Sequence, residues 1–160
     1  MHPNAALVET LYGALARRDG AAMAACYGPE SAFDDPVFSL RGAEIGAMWS
    51  MLCARGRDLA VTWSDVVADD ATGAAAWEAR YTFAATGRPV HNRIASVFTF
   101  ADGRIATQHD TFDFTRWSRM AIGPLARMPF MGAAVRRSVR SKARATLDAW
   151  IERGGTPGTA

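Results

Sequence analysis

The stretch Arg93–Phe114, RIASVFTFADGRIATQHDTFDF, decides the fold. Two strand-length runs, rich in aromatic and β-branched residues, flank Ala101-Asp102-Gly103, and an Asp-Gly pair between apolar runs is a strong hairpin signal. Moving upstream, Leu59–Ala68 and Ala74–Ala85 have the same character and are separated by equally short breaks, Asp69–Gly73 and Gly87-Arg88-Pro89. Short loops join antiparallel neighbours, so the four runs predict a curled antiparallel sheet.

Before the sheet the period changes. Leu7, Val8, Leu11, Tyr12 and Leu15 recur every three or four residues, which predicts a helix over Asn4–Arg18 with Asn4 as its N-cap. Ala21–Tyr27 reads as a second short helix, and Ser31–Val37 as a short extended piece. Ile45, Met48, Trp49, Leu52 and Cys53 mark a third helix. After the sheet, Thr115–Ile122 reads as a helical turn and a Pro-punctuated apolar stretch follows. A long final helix then carries the stripe Val135, Val139, Ala143, Leu147, Trp150 and Ile151. The fold class is therefore α+β, with helices grouped before an antiparallel sheet and a helical extension after it. The domain division is a body over 1–122, a basic helical arm of the same domain over 123–153, and a flexible tail over 154–160.

At 160 residues and 17.2 kDa the chain fits one domain that folds without disulfide or metal. The composition, 49% hydrophobic and 21% charged, excludes a disordered chain. The net charge of +2 hides an asymmetry. Residues 1–113 hold nine arginines against fourteen acids, whereas residues 114–145 hold eight cations and no acid. Arm cations on the free faces of a helix read most plainly as a solvated surface, and contact with an anionic membrane surface is the sharper alternative. No aromatic stacking platform is interleaved with them, so nucleic acid is not expected as a partner. Cys26 and Cys53 form neither a metal spacing nor a disulfide framework, and the chain opens on no signal-peptide pattern. A cytoplasmic location is the expectation.

Several short motifs recur in order: Arg18-Asp19-Gly20, Ala32-Phe33-Asp34-Asp35-Pro36-Val37, Leu40-Arg41-Gly42, Phe98–Ile105, and His109-Asp110-Thr111-Phe112-Asp113. Their order and spacing resemble the cone-shaped α+β fold of nuclear transport factor 2, which ketosteroid isomerases, limonene epoxide hydrolases and SnoaL-like polyketide cyclases share. The resemblance covers roughly residues 4–120. It implies a curved sheet packed with three N-terminal helices, an apolar pocket for a small ligand, and a homodimer.

The resemblance also implies site residues. Asp35 matches the general base of the ketosteroid isomerases. Its proline neighbour restricts its backbone, and partial burial would raise its pKa toward a value suited to moving protons. The plainer reading is a turn aspartate holding local amides. The positions matching that family's oxyanion-binding Tyr and neutral Asp are Leu11 and Ser96, with Tyr12 about 100° further round the helix. Steroid isomerisation is therefore disfavoured. The limonene-type hydrolase set matches only at Asp110, since Ile94 and Ser96 stand where an Arg-x-Asp pair is needed. Asp110 lies where SnoaL-like cyclases place an acid, and strand alternation puts it on one face with Gln108 and Phe112. The catalytic candidates are therefore Asp35 as base, Asp110 as second acid–base group, and Tyr12 or Ser96 as oxyanion donor. Ligand contacts are expected from Trp49, Trp77, Tyr81, Phe98, Gln108 and Phe112, although large aromatics are more often plain core. His91 and His109 do not converge with further ligands, and no glycine-rich phosphate loop is present, so neither metal nor cofactor is expected. The expected activity is acid–base chemistry by an isomerase or cyclase on a small apolar carbonyl compound. The alternative is a non-catalytic binding or dimerisation module of the same fold.

Overall fold

The computed structural model describes residues 1–124 and 132–155. Helix α1 (Pro3–Ala16) leads into α2 (Gly20–Ala24), strands β1 (Tyr27–Asp34) and β2 (Ser39–Arg41), and helix α3 (Ala43–Arg55). Strands β3 (Ala60–Ala68), β4 (Thr72–Phe83), β5 (Arg88–Ala101) and β6 (Arg104–Thr111) follow, then α4 (Phe114–Ala121) and α5 (Gly132–Glu152).

The six strands form one curved, unclosed sheet in the order β2-β1-β6-β5-β4-β3. The meander β3 to β6 is antiparallel as its short loops require, and Asp102 and Gly103 both take positive φ, the conformation a two-residue hairpin needs. The sheet as a whole is mixed, because β1 pairs with β6 in parallel, with Ala32 opposite Thr107. A helix and the whole meander separate those two strands in sequence, so no tight turn imposes an antiparallel sense. Strand β2 adds a short antiparallel edge that strand patterning alone did not disclose, and β1 begins at Tyr27, inside the expected second helix.

Other boundaries move for local reasons. The cap of α1 is His2, whose ring accepts the Asn4 N–H. Asn4 is instead buried and donates to the carbonyls of Asp69 and Asp70, tying α1 to the β3–β4 turn. Strand β5 starts five residues earlier than expected and pairs with β4 up to Phe83–Arg88, so His91 lies in a strand rather than a loop. Gly20 is required by packing, since a Cβ there would sit 2.6 Å from the Ser50 Cα of α3.

The core fills the concave side of the sheet beneath α1 and α3. Helix α5 belongs to it: Ala143, Leu147 and Trp150 join the main core, while Val135 and Val139 pack on a smaller cluster of Val90, Phe114, Trp117 and Ala121. Ile151 departs from the expected stripe and is exposed, because the turn that buries Trp150 carries its neighbour outward. The N–H groups of Gly154 and Gly155 return to the carbonyls of Ile151 and Trp150 and close the helix there. The apolar segment with Leu125, Met128, Phe130 and Met131, and residues 156–160 of the expected tail, lie outside the described residues.

Candidate active site

Alternation along β5 and β6 places Ser96 directly opposite Asp110, and both point to the concave side with Phe98 and Gln108. Asp110 is 2% exposed. Its Oδ1 accepts hydrogen bonds from Ser96 Oγ at 2.5 Å and Gln108 Nε2 at 2.9 Å. Each donor is held from behind. Ser96 Oγ accepts from Tyr12 Oη at 2.8 Å and Trp77 Nε1 at 3.0 Å. Gln108 Oε1 accepts from Tyr27 Oη at 2.5 Å, and that oxygen accepts from Trp49 Nε1 at 2.9 Å. Two relays thus converge on one carboxylate oxygen. Among the described residues no hydrogen bond reaches Asp110 Oδ2.

Burial pushes the Asp110 pKa up to about 7, against the lowering effect of Ser96 and Gln108, and the charge of Asp35 adds to the rise. Burial likewise keeps Tyr12 and Tyr27 well above the usual phenol value, so both remain donors.

Asp35 sits in the β1–β2 turn and fulfils its plainer reading: Oδ1 accepts the amides of Val37 and Phe38, each at 2.6 Å. Burial nevertheless raises its pKa to about 6, opposed by those amides and by Arg140. The other expected residues divide between two groups. Trp49, Trp77, Phe98 and Gln108 surround the Asp110 network, with Trp77 and Tyr12 ring centroids 5.5 Å apart. Tyr81 and Phe112 pack against both the main core and the smaller cluster; Tyr81 Oη accepts from Trp117 Nε1 at 2.8 Å, and the charge of Asp35 helps raise its pKa. Arg93, which alternation puts on the opposite face of β5 from Ile94 and Ser96, is exposed beside Glu78.

Tyr27 was missed because it follows the apolar run of α2, with nothing local to reveal a partner 81 residues away. Asn92 was missed although it shares the inward parity of Ser96. It is 7% exposed and forms no side-chain hydrogen bond among the described residues. His91 pairs with Glu78 at 2.5 Å. Among the described residues no three His, Cys, Asp or Glu side chains converge as metal ligands.

This curved sheet with its packed helices defines the nuclear transport factor 2-like, ketosteroid isomerase-like class of α+β folds. The profile of the SnoaL-like domain matches residues 8–108, and the chain belongs to that family. Among solved structures it resembles a nuclear transport factor 2-like protein of unknown function from Burkholderia pseudomallei, with 20% identity, TM-score 0.65, and coverage of 75% of this chain and 98% of that one. It also resembles a hypothetical protein with a ketosteroid isomerase-like fold from Catenulispora acidiphila, solved with trimethylamine (13% identity, TM-score 0.65, 76% and 95% covered). A candidate polyketide cyclase from Pseudomonas putida is a third (20% identity, TM-score 0.62, 76% and 98% covered). These likenesses establish the fold. No curated protein sequence matches the chain.

Proposed function

We propose that the protein is an acid–base enzyme acting next to the carbonyl of a small, largely apolar compound, in an isomerisation or a cyclisation. One observation carries this reading: a buried carboxylate on β6 and a half-buried one on the β1–β2 turn, both with pKa values raised toward neutrality by desolvation. Asp110, the more deeply buried of the two, is the more strongly held in its neutral form, which suits it to the acid role and Asp35 to the base. Asp35 removes a proton beside the carbonyl. Asp110, whose Oδ1 is occupied by the relays, carries its proton on Oδ2 and donates to the developing oxyanion. Ser96 and Gln108 position that carboxyl, with Tyr12, Trp77, Tyr27 and Trp49 behind them. The unpartnered amide of Asn92 is available to a bound polar group. Candidate polyketide cyclases among proteins of similar fold agree with this class of chemistry. The free thiols of Cys26 and Cys53 agree with a cytoplasmic setting, and no helix among the described residues is long and apolar enough to cross a membrane.

The test is deuterium exchange. The protein is incubated in D2O with β,γ-unsaturated cyclic ketones and β-keto esters, and loss of the proton next to the carbonyl is followed by NMR. Exchange should fall about 100-fold or more in Asp35→Asn and in Asp110→Asn. A wild-type rate no higher than that of Asp35→Asn overturns the catalytic reading.

One feature favours the second reading, a non-catalytic small-molecule binder. Tyr12 and Ser96, the two hydroxyls expected at a developing oxyanion, direct their protons into the network. A ligand that binds without exchanging protons would establish it.

A further inference from the structure

Helix α5 presents two adjacent stripes. One is apolar and buried; the other, at positions 133, 136, 137, 140, 141 and 144, borders a groove of about 590 Å³. That size lies within the range of small-molecule sites. Across the groove run Val37, Phe38 and Leu40, in and just beyond the turn that carries Asp35.

The four arginines on this stripe are unequally engaged. Arg144 pairs with Glu44 at 2.7 Å and Asp148 at 2.9 Å. Arg140 donates to the Pro36 carbonyl at 3.1 Å and acts on Asp35 through its charge, without forming an ion pair. Arg136 lies 4.9 Å from the Phe114 ring centroid, again without an ion pair. Arg137 is exposed and has no partner among the described residues. Among the described residues no acid lines the groove. Like charges at i, i+3 and i, i+4 along one helix face repel one another, so this stripe weakens its own helix until an anion sits beside it.

We infer that the groove between α5 and the β1–β2 turn is a binding site for a single-tailed anionic amphiphile, an aliphatic carboxylate. The tail would lie on Val37 and Phe38, and the carboxylate would face Arg137 and Arg140. A guanidinium matches a carboxylate through two parallel donors, and Arg137 has its donors free. The site adjoins the turn of Asp35, whose carboxylate feels Arg140, but it holds whether or not Asp35 and Asp110 are catalytic.

The test is calorimetric titration of the full chain with octanoate, 1-octanol and propionate at low and high salt, alongside pelleting with phosphatidylglycerol vesicles. Octanoate should bind saturably with one site per chain, about tenfold tighter than 1-octanol, as a charge-assisted contact implies. Added salt should weaken octanoate but not 1-octanol. Propionate, lacking the tail, should bind weaker than either. Arg137→Gln should lower octanoate affinity several-fold and leave 1-octanol unchanged. Equal binding of octanoate and 1-octanol overturns the inference, and so does an octanoate affinity insensitive to both salt and Arg137→Gln. Pelleting with anionic vesicles in the absence of octanoate binding also overturns it. The alcohol and salt comparisons use the native chain, so they stand even if a variant fails to fold.

Discussion

Asp110 is a carboxyl with its two oxygens in different circumstances, and the difference is open to measurement. If Asp35 must be ionised and Asp110 neutral, turnover follows a bell with limbs near pH 6 and pH 7. Ser96 donates to the ionised form and so holds the Asp110 pKa down. Ser96→Ala should therefore move the alkaline limb to higher pH, and it should destabilise the fold by about 1–3 kcal/mol because Tyr12 and Trp77 lose a buried acceptor. The same shift couples to stability. A carboxyl whose pKa rises from 3.8 to about 7 on folding binds more protons in the native state, so its contribution is complete below pH 4 and is lost as pH rises to 7. That loss amounts to about 4 kcal/mol at roughly 1.4 kcal/mol per pKa unit. Melting curves between pH 4 and 7 should show a steeper decline for the wild type than for Asp110→Asn, which has no charge to bury.

At the scale of elements, alternation alone puts Gln108 and Asp110 on one face of β6 and Ser96 and Phe98 on one face of β5, because a period of two leaves no choice once one residue is placed. The same rule would have found Asn92 had β5 been read to its true start. What alternation could not reveal was pairing across long separations. The parallel β1–β6 contact, and with it the Trp49–Tyr27–Gln108 relay, depends on how a helix and a meander return the chain, and no local pattern records that. Asp35 was legible as both a turn residue and a candidate base, and it sits in the turn with a raised pKa, since a turn beneath packed side chains is also a low-dielectric place. Helix packing has its own test. Gly20→Ala would drive a methyl group into the backbone of α3, and a loss of about 1–3 kcal/mol in urea unfolding is expected. Trp150→Ala should cost about 3–5 kcal/mol and loosen α5, seen as faster proteolysis at the arginines of the arm.

For the molecule as a whole, the charge asymmetry of the sequence is met only in part within one chain, since Arg144 pairs with acids while Arg136 and Arg137 do not among the described residues. The basic arm lies on its own acidic body, latched by Arg144 to Glu44 and by Arg140 to the Pro36 carbonyl. The outer sheet face is a different surface. Ala95, Val97, Thr99, Thr107 and His109 are exposed there, Val97 at 54%, with small side chains and little charge. We propose it as the face on which two copies meet. Light scattering should return twice the 17.2 kDa chain mass, and Val97→Arg should return the monomer. Persistence of the double mass in that variant would place the contact elsewhere.

The two relays that meet at Asp110 Oδ1 do more than hold a proton ready. A carboxyl gripped from Ser96 on one side and Gln108 on the other cannot turn over, so on the proposed chemistry it approaches a flat enol from a single direction. Prochiral compounds processed here would emerge with one handedness, and deuterium from the solvent would enter as one stereoisomer.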